Sequence, residues 1–327
     1  MCTRIVYRGA DDLVITGRSM DWMVPTDTNL WALPAGLTRD GAATANSFSW
    51  VSVHGSLVST MYDGVTVDGV NDVGLAANAL YLSAAEYPIR SPSAPGLSVA
   101  AWTQYVLDMA GSVSEAVDVL TDPPFQIVSP LLPGGHAATG HLALSDGTGD
   151  SAILEYLDGE LEIHHGSQYT VMTNDPTYEQ QLALCAYWDE VGGDAMLPGT
   201  ERPADRFVRA RYYLDGSTSS GDTDRALAEV FAIVRNVSVP MIHSTAEKPK
   251  VAPTLWRSAI DHTSLTYFWE ATNQPSVFWV ELDGLDLGTG GVVKRLVAEA
   301  GPARSGEVSK EFVETELFTF LPETTAP

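Results

Sequence analysis

Alternation of apolar and polar positions divides the chain into strand-rich and helix-rich blocks. Residues 3–7 and 13–16 flank the turn Gly9-Ala10-Asp11-Asp12 and predict an N-terminal hairpin. The same signals, most of them separated by Gly- or Asp-containing turns, predict further strands within residues 47–60, 66–78, 140–173, 256–269 and 276–282. Such turns between successive strands favour antiparallel pairing.

Helical periodicity fills the stretches between the strands. Val99, Trp102, Val106 and Leu107 fall on one helical face, and a second helix starts near residue 114 and ends before Pro123. Three more helices are predicted over residues 177–190, 204–214 and 224–236. Segregated helices and antiparallel strands predict an α+β fold with one core of stacked layers. No Pro/Ser-rich linker interrupts the chain, so residues 1–327 are expected to form a single domain.

Composition narrows the classes of function. The chain has 327 residues, 45% of them hydrophobic, with a formal net charge of −24. A protein this acidic repels nucleic acid and anionic membranes, so we expect neither as a partner. Cys2 and Cys185 are the only cysteines, too few for a disulfide framework or, alone, a structural zinc site.

No apolar run approaches the roughly eighteen residues of a membrane span. The stretch around MCTRIVYRG also lacks the apolar region of a secretory signal. We therefore expect a cytoplasmic protein, or a periplasmic one if a signal peptide has been removed.

The second position carries the candidate chemistry. Removal of Met1 before a small residue would give Cys2 a free α-amino group, whose reference pKa is about 7.7–8.0. Such an amine can take the thiol proton and later pass it to a leaving amine, so one residue supplies nucleophile and general base. Position alone leaves open that Cys2 is only a small residue at a frayed end.

The segment Gly-Arg-Ser-Met-Asp-Trp at residues 17–22 favours the catalytic interpretation of Cys2. The predicted hairpin returns this segment to the side of Cys2. Arg18 there would favour the thiolate, and Asp21 would orient the amine or the thiol by a hydrogen bond. Taken singly, both residues are better explained as members of exposed ion pairs.

A set of motifs resembles the choloylglycine hydrolase family, the N-terminal-nucleophile hydrolases that include penicillin V acylases and bile salt hydrolases. In the family's order, the motifs are MCTR, GRSMDW, DGVNDVGLAANALYL, VMTNDP, ADRFVRA and WRSAIDHTSLTYF. The resemblance implies a four-layer αββα sandwich of two antiparallel sheets between helical layers. It also implies a metal-free and cofactor-free amidase in which Cys2 is the nucleophile and Arg18 and Asp21 lie beside its thiol.

Three further residues match the family's active site. Asn174 matches the side-chain donor of the oxyanion hole, and Tyr81 matches the position whose backbone N–H is the second donor. Arg206 matches the remaining active-site arginine. Without the resemblance, Asn174 reads as a turn residue, Tyr81 as a half-buried strand residue and Arg206 as a charge on a helix face.

Two features indicate the substrate class within the family. Penicillin V acylases resemble this chain in having an aromatic residue at Tyr81, where bile salt hydrolases usually have Asn. Asn174 and Arg206 are also too close in sequence for the long assembly insert of Gram-positive members. Trp22, Met23 and Tyr81 are the expected substrate-binding residues, because aromatic walls suit a phenoxyacetyl or fatty acyl group.

The resemblance therefore implies a small-molecule acyl amide as the substrate. Penicillin V acylase activity is favoured, with N-acyl-homoserine-lactone acylase activity as a companion and bile salt hydrolysis as the alternative. Relatives suggest a homotetramer. A catalytically silent acyl-binding protein stays open if Met1 is retained, because an amide nitrogen is not a base.

Other candidate sites are weaker. His164 and His165 are adjacent on a predicted strand and so point to opposite faces, which argues against a shared metal ion. Cys185 is expected to be a buried small residue.

Overall fold

The computed structural model describes residues 2–91, 93–193, 195–242 and 252–324. In chain order, its strands are β1 Cys2–Arg8, β2 Val14–Asp21, β3 Asn29–Leu33, β4 Thr38–Asp40, β5 Ser49–Val51, β6 Ser56–Met61, β7 Val65–Asn71, β8 Ala76–Tyr81, β9 Gly96–Ser98, β10 Gln126–Val128, β11 Gly140–Ser145, β12 Ser151–Leu157, β13 Glu160–His165, β14 Val171–Met172, β15 Thr254–Asp261, β16 Thr266–Ala271, β17 Phe278–Glu281, β18 Lys294–Val297, β19 Gly306–Glu307 and β20 Val313–Glu314. Its α-helices are α1 Val99–Met109, α2 Val113–Thr121, α3 Tyr178–Val191, α4 Pro203–Asp215 and α5 Thr223–Asn236.

Two large sheets form the centre of the molecule. One has seven strands in the order β14-β1-β2-β15-β16-β17-β19, and the other has nine in the order β13-β12-β11-β8-β7-β6-β3-β18-β20. Pairing within them is antiparallel except between β17 and β19.

The helices cover the two outer faces. Helices α4 and α5 pack on β1, β2 and β15, whereas α1 and α2 pack on the nine-stranded sheet. Side chains of the two sheets meet between them, as in the contact of Thr16 Oγ1 with Ser145 Oγ at 2.7 Å. The predicted αββα sandwich is confirmed.

The predicted N-terminal hairpin is also confirmed. β1 pairs with β2 from Cys2 opposite Met20 to Arg8 opposite Val14. Asp11 and Asp12 complete the turn with φ of 56° and 59°, a conformation that Asp tolerates better than most residues. Helix α5 leaves no room for a side chain at Gly17 on β2, since a Cβ there would lie 2.6 Å from Val230 of that helix. The hairpin therefore packs directly beneath a helix.

Capping residues define the helices near the predicted positions. Ser98 accepts a hydrogen bond from Ala100 N at the start of α1, and Ser112 accepts one from Glu115 N at the start of α2. Asp222 caps α5 in the same way. Within the described residues, no helix has the length and hydropathy needed to cross a bilayer.

Three strands that sequence patterns did not predict, β3, β18 and β20, complete the nine-stranded sheet. β3 lies between β6 and β18 and is buried along its whole length. A central strand buried on both faces shows no alternation, so the period-2 signal is absent there. β18 is short, and its pairing with β3 joins segments that are far apart in the sequence.

Candidate active site

Cys2 lies at the first position of β1, facing the space between the sheets. Its side chain is buried, with Sγ 3.7 Å from Met20 Sδ and 4.0 Å from the backbone oxygen of Asp21. The Cys2 nitrogen donates a hydrogen bond to Asn174 Oδ1. The prediction that Met1 is removed concerns a residue outside the described ranges.

A pocket of about 530 Å³, including its opening to solvent, has the Cys2 side chain in its wall. Aliphatic, aromatic and thioether side chains dominate the lining, namely Met20, Trp22, Met61, Val65, Val67, Leu80, Tyr81, Val99 and Leu132. Trp22 and Tyr81 have ring centroids 5.8 Å apart, and Trp22 Nε1 donates to Tyr62 OH at 3.2 Å. The cysteine therefore borders an apolar cleft with an aromatic wall.

Asn174 follows β14 and joins three parts of the site. Its Oδ1 accepts from the Cys2 nitrogen and lies 3.4 Å from Arg206 Nη2, while its Nδ2 donates to Tyr81 O at 2.6 Å. These contacts fix the orientation of the amide, and one N–H of its NH₂ group stays available beyond the Tyr81 bond. Gln181 of α3 donates to the Asn174 carbonyl and secures the loop.

Tyr81 ends β8 with its polar backbone groups aimed away from β11. Leu82 N donates to Thr139 O at 3.4 Å, and Tyr81 is opposite Gly140 in the ladder. Along an antiparallel strand, successive residues direct their N–H and C=O groups to alternate sides. Because Leu82 bonds toward the β11 side, the N–H and C=O of Tyr81 point to the other side of the strand. The Tyr81 N–H is consequently directed to the side on which Asn174 contacts the Tyr81 carbonyl.

Asp21 and Arg206 form an ion pair on the helix-facing side of β2. Arg206 Nη1 lies 2.7 Å from Asp21 Oδ2, and both side chains are fully buried. Arg206 Nη1 also donates to Thr3 Oγ1 at 3.0 Å, and Thr254 Oγ1 donates to Asp21 Oδ1 at 2.6 Å. Arg206 thus contacts both Asp21 and Asn174, two of the residues that the sequence analysis predicted to lie around Cys2.

Arg18 faces the space between the sheets, on the same side of the hairpin as Cys2. Its Nη2 lies 3.8 Å from Met20 Sδ and donates to Ala79 O at 2.9 Å. The guanidinium and the Cys2 sulfur thus contact the same Met20 sulfur, and both residues line the pocket. A cation in this position favours a thiolate electrostatically.

Met23 shares a neighbouring depression with Trp22 but, unlike Trp22 and Tyr81, is not part of the wall of the Cys2 pocket. Val24, Tyr62 and His136 also border this depression. β2 ends at Asp21, so the strand alternation that directs Met20 inward no longer applies at Met23. Met20 occupies the pocket wall instead.

The candidates set aside from the sequence lie away from this pocket. His165 contacts Asp150 at 2.7 Å, while the ring of His164 packs against Tyr169 and Tyr178, so the adjacent imidazoles have different partners. Cys185 on α3 is buried, as predicted, and burial raises the pKa of its thiol. Among the described residues, no cluster of three or more His, Cys, Asp or Glu side chains is arranged to hold a metal ion.

Sequence patterns missed Thr254, Val67 and Trp256, which support the catalytic candidates from other strands. β2 and β15 shift register between Thr254 and Trp256, so Thr254 reaches Asp21 on one face. Trp256 lies on the other face, with its ring centroid 5.0 Å from the Arg18 Cζ. A β-bulge of this kind changes which face a residue occupies and leaves no mark in the hydrophobic pattern.

Known proteins resemble this chain over nearly its full length. The penicillin V acylase of Pectobacterium atrosepticum is 46% identical over 346 aligned positions, which cover 98% of this chain and 92% of that protein. The structure of penicillin V acylase from Agrobacterium tumefaciens matches with a TM-score of 0.91 and 48% identity, covering 98% of this chain and all of that one.

Bile acid hydrolases are more distant. The bile salt hydrolase/transferase of Clostridium perfringens is 25% identical, over 73% of this chain and 79% of that protein. A mutant conjugated bile acid hydrolase from the same species shares the fold, with a TM-score of 0.78, 22% identity and coverage of 94% of this chain and 99% of that one.

A sequence model of the linear amide C–N hydrolases, choloylglycine hydrolase family, matches residues 2–295. This match covers β1 to β17 and every candidate residue described above. The chain belongs to the choloylglycine hydrolase family and is a hydrolase of linear amide C–N bonds.

Proposed function

We propose that this protein is a penicillin V acylase in which Cys2 is the nucleophile and its own α-amine, exposed by removal of Met1, is the base. The observation that carries the proposal is the position of Asn174. Its side chain contacts both the Cys2 nitrogen and the Tyr81 carbonyl at the border of an apolar pocket. The two penicillin V acylases at 46% and 48% identity support the same activity.

The first half of the reaction forms a thioester. The α-amine of Cys2 accepts the thiol proton, and Sγ attacks the amide carbonyl carbon. As the tetrahedral intermediate collapses, the C–N bond breaks and the α-ammonium gives its proton to the leaving amine. The acyl group stays on Cys2 Sγ in the apolar pocket.

The second half releases the acid. Water enters beside the thioester, and the α-amine, now neutral, accepts one of its protons. The resulting hydroxide attacks the carbonyl carbon, and the C–S bond breaks. The proton on the amine returns to the sulfur and regenerates Cys2.

Two N–H donors stabilise the negative oxygen in both halves. The free N–H of the Asn174 amide and the backbone N–H of Tyr81 are directed to the same side of β8. In other enzymes, removal of one such donor costs about 3–4 kcal/mol of transition-state stabilisation. Arg206 and the Cys2 nitrogen hold the opposite end of the Asn174 amide and keep the donor in place.

The pocket lining favours an aromatic or aliphatic acyl group. The Trp22–Tyr81 wall offers ring contact to a phenoxyacetyl group, and the thioether and branched side chains opposite accept apolar surface. A fatty acyl chain satisfies the same contacts, so N-acyl-homoserine lactones form the second substrate class that we propose. The aromatic side chain of Tyr81 occupies pocket volume that a steroid acyl group would need, which disfavours bile salts.

A matched substrate series tests the proposal. We expect the purified protein, shown by intact mass to lack Met1, to hydrolyse penicillin V with higher kcat/KM than glycocholate. Decanoyl-homoserine lactone measures the fatty acyl alternative in the same assay. Cys2→Ala is expected to remove all turnover and to keep the fold, because within the described part of the chain the thiol makes only weak sulfur contacts.

Four outcomes would contradict the proposal. Turnover by pure Cys2→Ala protein would exclude the nucleophile, and full activity of protein that retains Met1 would exclude the amine as base. Glycocholate as the preferred substrate would replace the penicillin V assignment by bile salt hydrolysis. A correctly processed protein that binds penicillin V without cleaving it would instead be the silent acyl-binding protein.

We also propose a homotetramer, on the basis of the family resemblance. Helices α3 and α4 expose large apolar side chains, among them Leu184, Tyr187, Tyr212 and Tyr213. Burial of such side chains between subunits would be favourable. Light scattering coupled to size-exclusion chromatography measures the mass directly, and a monomeric mass at micromolar concentration would exclude the tetramer.

A further inference from the structure

Arg18 is a buried cation held from several directions. Its Nη1 donates to Val67 O and its Nη2 to Ala79 O, while its Cζ lies 5.0 Å from the centroid of the Trp256 ring. Its Nε has no hydrogen-bond partner within the described residues. A nearby counter-charge helps to offset the loss of hydration of a buried charge that otherwise meets neutral acceptors.

Asp68 provides that counter-charge. Its Oδ1 lies 3.9 Å from Arg18 Nη1, and both side chains are at most 1% exposed. Ser258 Oγ and Tyr267 OH donate to Asp68 Oδ2 at 2.6 and 2.5 Å, and Asn78 Nδ2 donates to Oδ1. The same hydrogen bonds tie β7 and β8 to β15 and β16 of the facing sheet.

A backbone irregularity directs Asp68 and Val67 toward Arg18. β6 and β7 shift register between Ser59 and Thr60, which leaves Val67 as the extra residue on β7. The bulge turns the Val67 carbonyl toward Arg18 and brings Asp68 to the face between the sheets. The guanidinium therefore keeps its position through contacts with Val67 and Ala79 carbonyls in addition to the ion pair.

Asp68 is not among the residues that line the pocket, so it acts on the thiol through its charge and its ion pair with Arg18 and not by contact. The connection to the thiol is short: Arg18 Nη2 and Cys2 Sγ contact the same Met20 sulfur at 3.8 and 3.7 Å. The negative charge of Asp68 weakens the positive potential that Arg18 produces at the sulfur.

We propose that Asp68 is a positioning residue whose buried carboxylate holds Arg18 and offsets its charge, and thereby sets the pH at which the Cys2 thiol ionises. This proposal rests on the proposed function, in which Cys2 is the nucleophile. A purely structural Asp68 would affect stability without changing ionisation of the thiol in the folded protein.

The pH dependence of Cys2 alkylation tests the proposal. Iodoacetamide modification, followed by peptide mapping, gives a midpoint pH for Cys2 and, in the same sample, for Cys185 as an internal reference. Asp68→Asn removes the negative charge and keeps the shape, while the carbonyls and Trp256 still hold Arg18. We expect the Cys2 midpoint to fall by about one pH unit, because without the Asp68 charge the positive potential of Arg18 at the sulfur is no longer opposed.

Two further variants make the result decisive. Tyr267→Phe removes one hydrogen bond to Asp68 but keeps the carboxylate charge, so its Cys2 midpoint should stay within a few tenths of a unit of wild type. Asp68→Ser repeats the charge removal with a smaller side chain, for the case that the Asn variant does not fold. An unchanged or raised midpoint in either folded Asp68 variant overturns the proposal. If neither Asp68 variant folds while Tyr267→Phe does, Asp68 has a structural role alone, and the proposal is overturned as well.

Failure of the proposed function is recognised separately. Alkylation of Cys2 in the wild-type protein should abolish penicillin V hydrolysis. If alkylated protein retains turnover, Cys2 is not the nucleophile, whatever happens at Asp68. If turnover is lost but the midpoint does not move in Asp68→Asn, only the role of Asp68 is excluded.

Discussion

Arg4 and Arg18 are cross-strand neighbours on β1 and β2, both fully buried between the sheets, yet their surroundings differ. Arg18 has a carboxylate, Asp68, 3.9 Å away and borders the pocket. The hydrogen bonds of Arg4 within the described residues go instead to neutral oxygens, those of Leu144, Ser151 and Tyr169. In the function that we propose, Arg18 is placed to act on the reacting thiol, whereas Arg4 connects the two sheets.

The region around Arg4 continues this structural pattern. Burial lowers the pKa of Arg4 to about 9. Farther from Cys2 along β2, Thr16 Oγ1 lies 2.8 Å from His262 Nε2, and His262 Nδ1 lies 2.8 Å from Gly74 O. Burial lowers the pKa of His262 to about 4. The space between the sheets thus has a charged end at the pocket and an end where burial disfavours charge, which predicts separate effects on catalysis and on stability.

The largest effect is expected at Asn174. Asn174→Ala removes an oxyanion donor and should lower kcat for penicillin V by about two to three orders of magnitude, with little change in KM. Steady-state kinetics with an intact-mass check of each sample measures this. A change confined to KM would argue that Asn174 binds substrate and does not stabilise the transition state.

The two arginines sharpen the comparison directly. Arg18→Met should lower kcat/KM by about a hundredfold, since one charge near the sulfur is worth a few kcal/mol at an effective dielectric constant of about 20. Arg4→Met is the matched control on the neighbouring strand and should lower kcat/KM by less than about tenfold. Equal losses in the two variants would show that the pocket end has no special electrostatic role.

The smallest effect on activity is expected at His262, where the consequence is pH-dependent stability. The folded-state pKa of about 4 lies below the unfolded value of about 6.5, so the unfolded chain binds the extra proton first. The stability from neutral His262 is therefore present above about pH 6.5 and lost as pH falls toward 4. The loss in free energy of unfolding is about 3 kcal/mol, at about 1.4 kcal/mol per pKa unit.

His262→Gln should flatten this dependence and leave kcat at neutral pH unchanged. Urea unfolding curves across the acidic range measure the effect in both proteins. If the free energy of unfolding of the variant still falls with pH as steeply as in the wild type, His262 is not the titrating group. A drop in kcat would show that the His262 end of the space between the sheets also affects catalysis.

The sequence predicted those parts of the molecule that depend on local signals. The hairpin follows from the turn at residues 9–12, and it alone brings Met20 opposite Cys2. The motif around Asn174 carried enough family resemblance to identify it without any knowledge of its contacts. The layer arrangement followed from segregated helices and strands.

The remaining parts depend on irregularities that a period-2 pattern does not show. The contact of Asp68 with Arg18 requires the bulge at Val67 in β7. The contact of Thr254 with Asp21 requires the register shift between β2 and β15. Such long-range pairings carry no local signature. The position of Met23, which follows the end of β2 and borders a neighbouring depression, is likewise not visible in the sequence pattern.

The most direct test of the account is mass spectrometry of the protein quenched with acid during turnover of penicillin V. We predict an N-terminal peptide that starts at Cys2 and carries one phenoxyacetyl group, which disappears when the substrate is exhausted. An acyl group on any other peptide, or active protein whose N-terminal peptide still carries Met1, would contradict the account.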